Sequence, residues 1–331
     1  MKFDFSEDQH EIRRTAKDLL AKRSTMSKVR EAAEAKSYDD SLWKELAELG
    51  WPGVAISEDN GGGGLGVVEL ASLMEESGYS LAGSPLLASA AAGLAIQEAG
   101  SDSQKAEWLP GLASGELKGS FGVEGALFPD AEGADVIVSV TADGGSAVVG
   151  AGSGFQVEAV DAIDPTRRYA TVTGSGEPMP GDIDAALSLV AIITSAELVG
   201  ISLRNLEMTV EYVKDRKQFG KPVGSFQAVQ HRCAQMLLHT ESARSATYFA
   251  AWAADADRSR LSEGASLAKA AASTAGVESG NSAIQAHGGI GFTWEADVHW
   301  LYKRAQMDAA YVGGAKTHRA NLAKIAAGAV A

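Results

Sequence analysis

Residues 215–231 read DRKQFGKPVGSFQAVQH. The stretch decides the fold because it is a corner between two long helical patterns. Upstream, AALSLVAIITSAELVGISL at 185–203 runs without a break into NLEMTVEYVKDRK. Downstream, FQAVQHRCAQMLLH repeats its apolar residues at helical spacing. Arg216 falls in the last turn of the first helix, where a cation suits the helix dipole. A Gly-Pro turn follows, and Ser225 is predicted to be the N-cap of the second helix. An arginine facing the free N–H groups of a helix start makes an anion site. Phe219 adds a flat apolar face, and Gln227 adds a donor and an acceptor. The plainer interpretation is an αα-corner with a capping arginine, and on these residues alone both stand.

Outward from the corner, helical patterning fills Ile183 to the C-terminus in four or five long segments. From about Lys118 to Asp182 the texture changes to short alternating runs, DVIVSVTADGGSAVVG, GFQVEAVDAI and RRYATVTGSG, separated by Asp and Gly turn signals. Residues 4–115 are helical again. Ser6 and Gln9 have capping-box spacing, Gly50 closes SLWKELAELG, NGGGGLG at 60–66 is a loop, and SDSQKAEWLPGLASGE is expected to end at Pro110 and Gly111. Strands that follow one another instead of alternating with helices argue against a doubly wound α/β fold. The predicted fold is mainly α with a small antiparallel β domain, divided as residues 1–117, 118–182 and 183–331.

The chain has 331 residues, 45% apolar and 22% charged, with a net charge of −14. A nucleic-acid backbone or an anionic membrane needs a basic footprint, so neither is an expected partner. Cys233 is the only cysteine, so no intrachain disulfide can form, and a cytoplasmic location is expected. The start MKFDFSEDQHEIRR lacks the basic and apolar regions of a secretory signal. Residues 185–203 are apolar enough to suggest a membrane span, but Glu197 and the charged continuation favour a buried bundle helix. The glycine run at 60–63 has no following Gly-Lys-Ser/Thr, so it is no phosphate-binding loop. His231 and His239 fit a helix surface, His287 fits a turn, and His299 and His318 have no partners at metal spacing, so no metal is expected. Trp294, His299, Trp300 and Tyr302 fit packing at a helix interface.

A second motif, QAHGGIGFT at 285–293, follows a helix expected over 264–286. Its glycines allow a close backbone approach, though alone it is only a helix C-cap and a turn. RKQFGKPVGSFQAVQHRCAQM and QAHGGIGFT, in this order and spacing, together resemble the acyl-CoA dehydrogenase family of flavoproteins. SLWKELAELGWPGVAISEDNGGGGLGVVELASLMEESGYSLAGSP is similar to that family's N-terminal helical domain, and the resemblance covers most of the chain. It implies a C-terminal four-helix bundle that assembles four subunits, and a grip on the ADP half of FAD across a subunit interface. Carried over by position, Arg216, Phe219, Gln227, Gln285, Gly288 and Gly289 match that grip.

Two departures follow from the same resemblance. The family desaturates an acyl-CoA thioester with a glutamate as base, often in a Tyr-Glu-Gly-Thr run. Here the matching run is Tyr311-Val312-Gly313-Gly314, and valine cannot take a proton. An alternative base position in some members falls near Val190, also apolar, and Glu197 stands two turns further on as a third candidate. In addition, FGVEGALFPDAEGAD at 121–135 lacks the hydroxyl that contacts the flavin ring in catalytic members. This pattern resembles the shortened non-catalytic subunit of actinobacterial α2β2 dehydrogenases acting on steroid side-chain thioesters. The resemblance then implies a longer catalytic partner that holds the acyl-CoA, FAD shared between the two, and an electron-accepting flavoprotein. Two other readings remain at this level: a self-sufficient enzyme with an atypical base such as Glu197, and a scaffold with no redox role.

Overall fold

A computed structural model describes residues 5–328. Six helices come first: α1 (Glu7–Arg23), α2 (Met26–Ala35), α3 (Asp40–Glu48), α4 (Val67–Tyr79), α5 (Leu86–Ala99) and α6 (Asp102–Ser114). Their ends follow local chemistry. Ser6 Oγ accepts the Gln9 N–H, and the Gln9 side chain accepts the Ser6 N–H, which forms the capping box. Ser101 and Gln104 repeat the device at α6. That helix does not stop at Pro110 and Gly111 as expected. Pro110 lies inside it, and Gly115, at φ +76°, ends it. Burial of Leu109, Leu112 and Ala113 on one face outweighs the missing proline N–H.

Seven strands follow: β1 (Gly119–Val123), β2 (Phe128–Pro129), β3 (Val136–Val140), β4 (Ala147–Ala151), β5 (Phe155–Val160), β6 (Tyr169–Gly174) and β7 (Glu177–Pro178). They form two small sheets, ordered β1-β3-β4-β7 and β2-β6-β5. The middle part is not wholly antiparallel as expected, because β1 and β3 pair in parallel. After β1 the chain crosses to the other sheet to place β2, then returns to the end where β1 began. There Asp135 Oδ2 accepts the Lys118 N–H at 2.8 Å, and the Asp135 N–H donates to the Lys118 carbonyl at 2.8 Å. Phe128, Ile137, Phe155, Ala170 and Val172 fill the space between the sheets.

The remainder is helical apart from one hairpin. It comprises α7 (Ile183–Asp215), the hairpin β8 (Lys217–Gln218) and β9 (Lys221–Pro222), α8 (Gln227–Ala256), α9 (Leu261–His287), α10 (Val298–Ala310) and α11 (Ala315–Ala326). By length and composition α7 could cross a membrane, yet 83% of its most apolar window is buried inside the protein, where α4, α5, α8 and α9 surround it. Two glycines set the α4–α7 crossing. A Cβ on Gly200 would lie 1.9 Å from the Glu75 carbonyl oxygen, and one on Gly78 would lie 2.1 Å from that of Glu197. No other residue permits that approach. Ser225 is not the N-cap of α8. The chain makes a tight turn over Val223–Ser225, the Ser225 hydroxyl donates back to the Pro222 carbonyl at 2.7 Å, and Phe226 takes the cap position.

Candidate functional site

The corner between α7 and α8 is a displayed turn. Arg216 caps α7 through its N–H to the Tyr212 carbonyl, 2.9 Å. The hairpin that follows has Phe219 and Gly220 at its tip, both left-handed, at φ +55° and +80°. Two positive φ values in a two-residue loop match the twist of the flanking strands. Gly220 adopts this freely, whereas Phe219 is strained there. The strained residue is also 92% exposed, so its ring is presented outward, edge-on to Phe226 at 6.3 Å. Lys221 Nζ lies 4.4 Å from the Phe226 ring centre. Gln227 is the first residue of α8, and its side chain is exposed.

The second motif lies at the same end of the bundle. Tyr212 stacks on His287 with ring centres 4.2 Å apart, and its hydroxyl donates to the His287 carbonyl at 3.3 Å. That contact joins the last turns of α7 and α9. Gln285 is exposed in the last turn of α9, Gly288 has φ +66°, and a Cβ on Gly288 or Gly289 would meet nothing within 4 Å. The Gly288 N–H donates to the Gln285 carbonyl and closes α9. Arg216, Phe219, Gln227, Gln285, Gly288 and Gly289 form an open surface with a cation, an aromatic face, two amides and bare backbone. These are the groups a nucleoside diphosphate needs, so the residues fit the ADP half of FAD.

The turn at 311–314 is held from three sides. The Tyr311 hydroxyl donates to the Phe121 carbonyl at 2.9 Å, and His318 Nε2 lies 3.1 Å from the Val312 carbonyl oxygen. Lys269, fully buried, donates from Nζ to the carbonyls of Asp308, Ala309 and Gly313 at 2.9, 3.1 and 3.1 Å. Burial pushes the Lys269 ammonium down to about 7. Val312 itself has φ +48°, a strained setting for a β-branched residue. On the facing strand, a Cβ on Gly122 would lie 2.5 Å from the Phe128 ring. Strand β1 is thus packed against Phe128 and tied to the 311–314 turn.

Glu197 lies 2% exposed at the centre of a buried ionic network. It accepts from Arg167 Nη2 at 2.6 and 2.9 Å and from Arg304 Nη1 at 2.9 Å. Arg167 also donates to Asp308 at 2.8 Å, while Arg304 donates to Asp164 at 2.5 Å and to Thr166 at 2.7 Å. Burial alone would lower both guanidinium pKa values, but the surrounding carboxylates outweigh it and hold both arginines charged. Burial pushes Asp130 up to about 6 and raises Asp308 also. The Glu197 carboxylate is thus shared between two arginines. The network joins the β5–β6 loop to α7 and α10.

Reading the sequence did not find this network. Arg167 and Glu197 are 30 residues apart, and Arg304 and Asp164 are 140 apart. The one local signal is the Asp164-Pro165-Thr166-Arg167 turn, which places an acid and a base three residues apart. On α8 His231 is exposed and His239 half-buried, whereas His299 and His318 are buried. Among the described residues no group of three or more His, Cys, Asp or Glu side chains could hold a metal ion.

Comparison with known proteins matches residues 6–116 to the acyl-CoA dehydrogenase N-terminal domain and residues 183–327 to the acyl-CoA dehydrogenase C-terminal domain. The chain belongs to the acyl-CoA dehydrogenase family. It is 36% identical to acyl-CoA dehydrogenase IpdE2 of Mycobacterium tuberculosis over 90% of this chain and 91% of that one. It is 33% identical to acyl-CoA dehydrogenase FadE34 of the same organism, over 81% of this chain but only 40% of FadE34. Among solved structures, a variant of the Tcur3481–Tcur3483 steroid acyl-CoA dehydrogenase superposes with a TM-score of 0.87. The identity is 27%, and the match covers 98% of this chain and 99% of that one. The family performs an oxidoreductase reaction with a flavin cofactor.

Proposed function

We propose that this chain is the non-catalytic subunit of a cytoplasmic heterotetrameric, FAD-dependent acyl-CoA dehydrogenase, and that it completes the flavin site of a longer catalytic partner. One observation carries the reading: an open nucleotide grip coexists with a Val312 turn that has no carboxylate, while Glu197 is bound by two arginines. Two comparisons support it. The Tcur3481–Tcur3483 enzyme is named as a pair, and the stretch similar to this chain fills less than half of FadE34.

In this reading Arg216 and the N–H groups at the start of α8 take the pyrophosphate, Phe219 takes the adenine face, and Gln227 and Gln285 orient the ribose and base. Gly288 and Gly289 let the backbone approach the ADP half of the partner's cofactor. Bound FAD supplies the hydride acceptor for α,β-desaturation of an acyl-CoA thioester, and an electron-accepting flavoprotein then reoxidises it. The α-proton goes to a glutamate of the partner, which also holds the substrate. A steroid side-chain or fatty acyl thioester is the proposed substrate class.

The test is expression of this chain alone and together with a longer dehydrogenase from the same source. The expected result is a colourless, inactive chain alone and a yellow, active complex of two copies of each. A yellow lone chain that bleaches with an acyl-CoA overturns the proposal.

A further inference from the structure

Between α7 and α8 runs an open groove of about 620 Å³. Its floor is apolar, with Leu203, Leu206 and Val210 contributed by α7 and Ala234 and Leu237 by α8. Leu237 and its neighbour Leu238 are 49% and 58% exposed. Single surface leucines are ordinary, whereas two together beside an apolar groove mark a contact face.

The α7 edge of the groove is acidic. Glu207, Glu211 and Asp215 recur every four residues, which puts all three on one stripe of the helix. Glu207 accepts from the Tyr79 hydroxyl, and among the described residues none of the three carboxylates is in an ion pair. Lys214 is the one cation that lines the groove. Like charges at this spacing destabilise a helix, so the stripe is relieved by cations from outside the chain. Asp215 is followed at once by Arg216, so the groove runs up to the surface proposed to meet the partner's flavin.

We infer that this groove seats an amphipathic helix of the longer partner subunit. Its apolar stripe lies on Leu206, Val210 and Leu237, and its lysines or arginines lie against Glu207, Glu211 and Asp215. The inference rests on the subunit reading above and adds the chemistry of the contact. A helix in a groove needs apolar anchors at helical spacing, and opposite charges at the edge fix its register. A second copy of this chain is a poor occupant. A two-fold contact sets the same patch against itself, and here it would lay one acidic stripe on another.

Cys233 makes the test direct, because the only cysteine of the chain lines this groove and is half-buried. Its reaction with dithionitrobenzoate is followed in the lone chain and in the purified complex, with Cys233→Ser as the blank for thiols of the partner. The expected result is reaction in the lone chain and protection in the complex. Glu207 and Glu211 are exposed, so a double variant, Glu207→Lys with Glu211→Lys, is expected to keep the melting profile of the lone chain. It is expected to weaken the complex at least about tenfold.

A stable complex in which Cys233 reacts as fast as in the lone chain overturns the proposal, and so does a double variant that binds the partner as tightly as wild type. Protection that grows with the concentration of the lone chain puts a second copy in the groove and overturns it too. The subunit reading fails by a different result, flavin held and reduced by the lone chain, so the two failures are distinct.

Discussion

Glu197 illustrates how a buried charge acts at the scale of one residue. Its carboxylate neutralises two guanidinium groups that cannot lose their protons, so Glu197→Gln leaves Arg167 and Arg304 short of a partner. The expected cost is about 3–5 kcal/mol of stability, measured by denaturant unfolding, with any loss of activity in the complex following the loss of folded protein. Activity that vanishes while stability is unchanged would instead make Glu197 a base. Asp130 responds to pH in the opposite sense to an ordinary ion-paired aspartate. It accepts from the Tyr38 hydroxyl, and burial raises it from 3.8 to about 6. A raised folded-state value means that the folded protein binds the extra proton. The associated stability is present below about pH 4 and is lost as pH rises through about 6, on the order of 2–3 kcal/mol at most. Between pH 5 and pH 7.5 the wild type is expected to lose more thermal stability than Asp130→Asn, which carries no titrating group there. Equal slopes for the two proteins would refute this.

Among the elements, the α4–α7 crossing depends on the absence of two side chains. Gly78→Ala or Gly200→Ala would drive a methyl group into a carbonyl of the facing helix at about 2 Å. Each is expected to cost at least about 3 kcal/mol, more than ordinary overpacking, because backbone and not a flexible side chain must give way. Circular dichroism melts of the two variants check this. The same crossing places Glu75 and Glu197 on opposite sides of the contact, and Glu75 in turn pairs with Arg13 and Arg244. The hairpin tip shows a different kind of constraint. Phe219→Gly is expected to relieve the strain at φ +55° and leave the fold as stable or slightly more so, while flavin retention in the complex falls. A complex that keeps its flavin after this change would remove Phe219 from the grip.

At the scale of the whole molecule, the proposed assembly makes a prediction of its own. The proposed nucleotide grip is exposed at one end of the bundle, where Phe219 is 92% exposed. Cooperative unfolding of an assembled tetramer is expected at a temperature that rises with protein concentration, because subunits that complete one another's surfaces are linked by mass action. Scanning calorimetry over a hundredfold dilution of the complex reads it, and a concentration-independent midpoint would argue for a self-contained chain.

The helical, strand, helical order was legible in the sequence, as were the capping box at Ser6, the corner at Arg216 and the valine in the 311–314 turn. Each depends on residues within a few positions of one another: apolar spacing, a capping side chain, a glycine at a turn. The end of α6 and the cap of α8 were misread because burial of Leu109 and Leu112 overrode a proline, and because a tight turn bent Ser225 away from the helix start. The parallel pairing of β1 with β3 and the ion network spanning Asp130 to Asp308 were decided only by the tertiary structure. These contacts join residues tens to more than a hundred positions apart, and no local propensity records which distant charges the packing of helices will bring together.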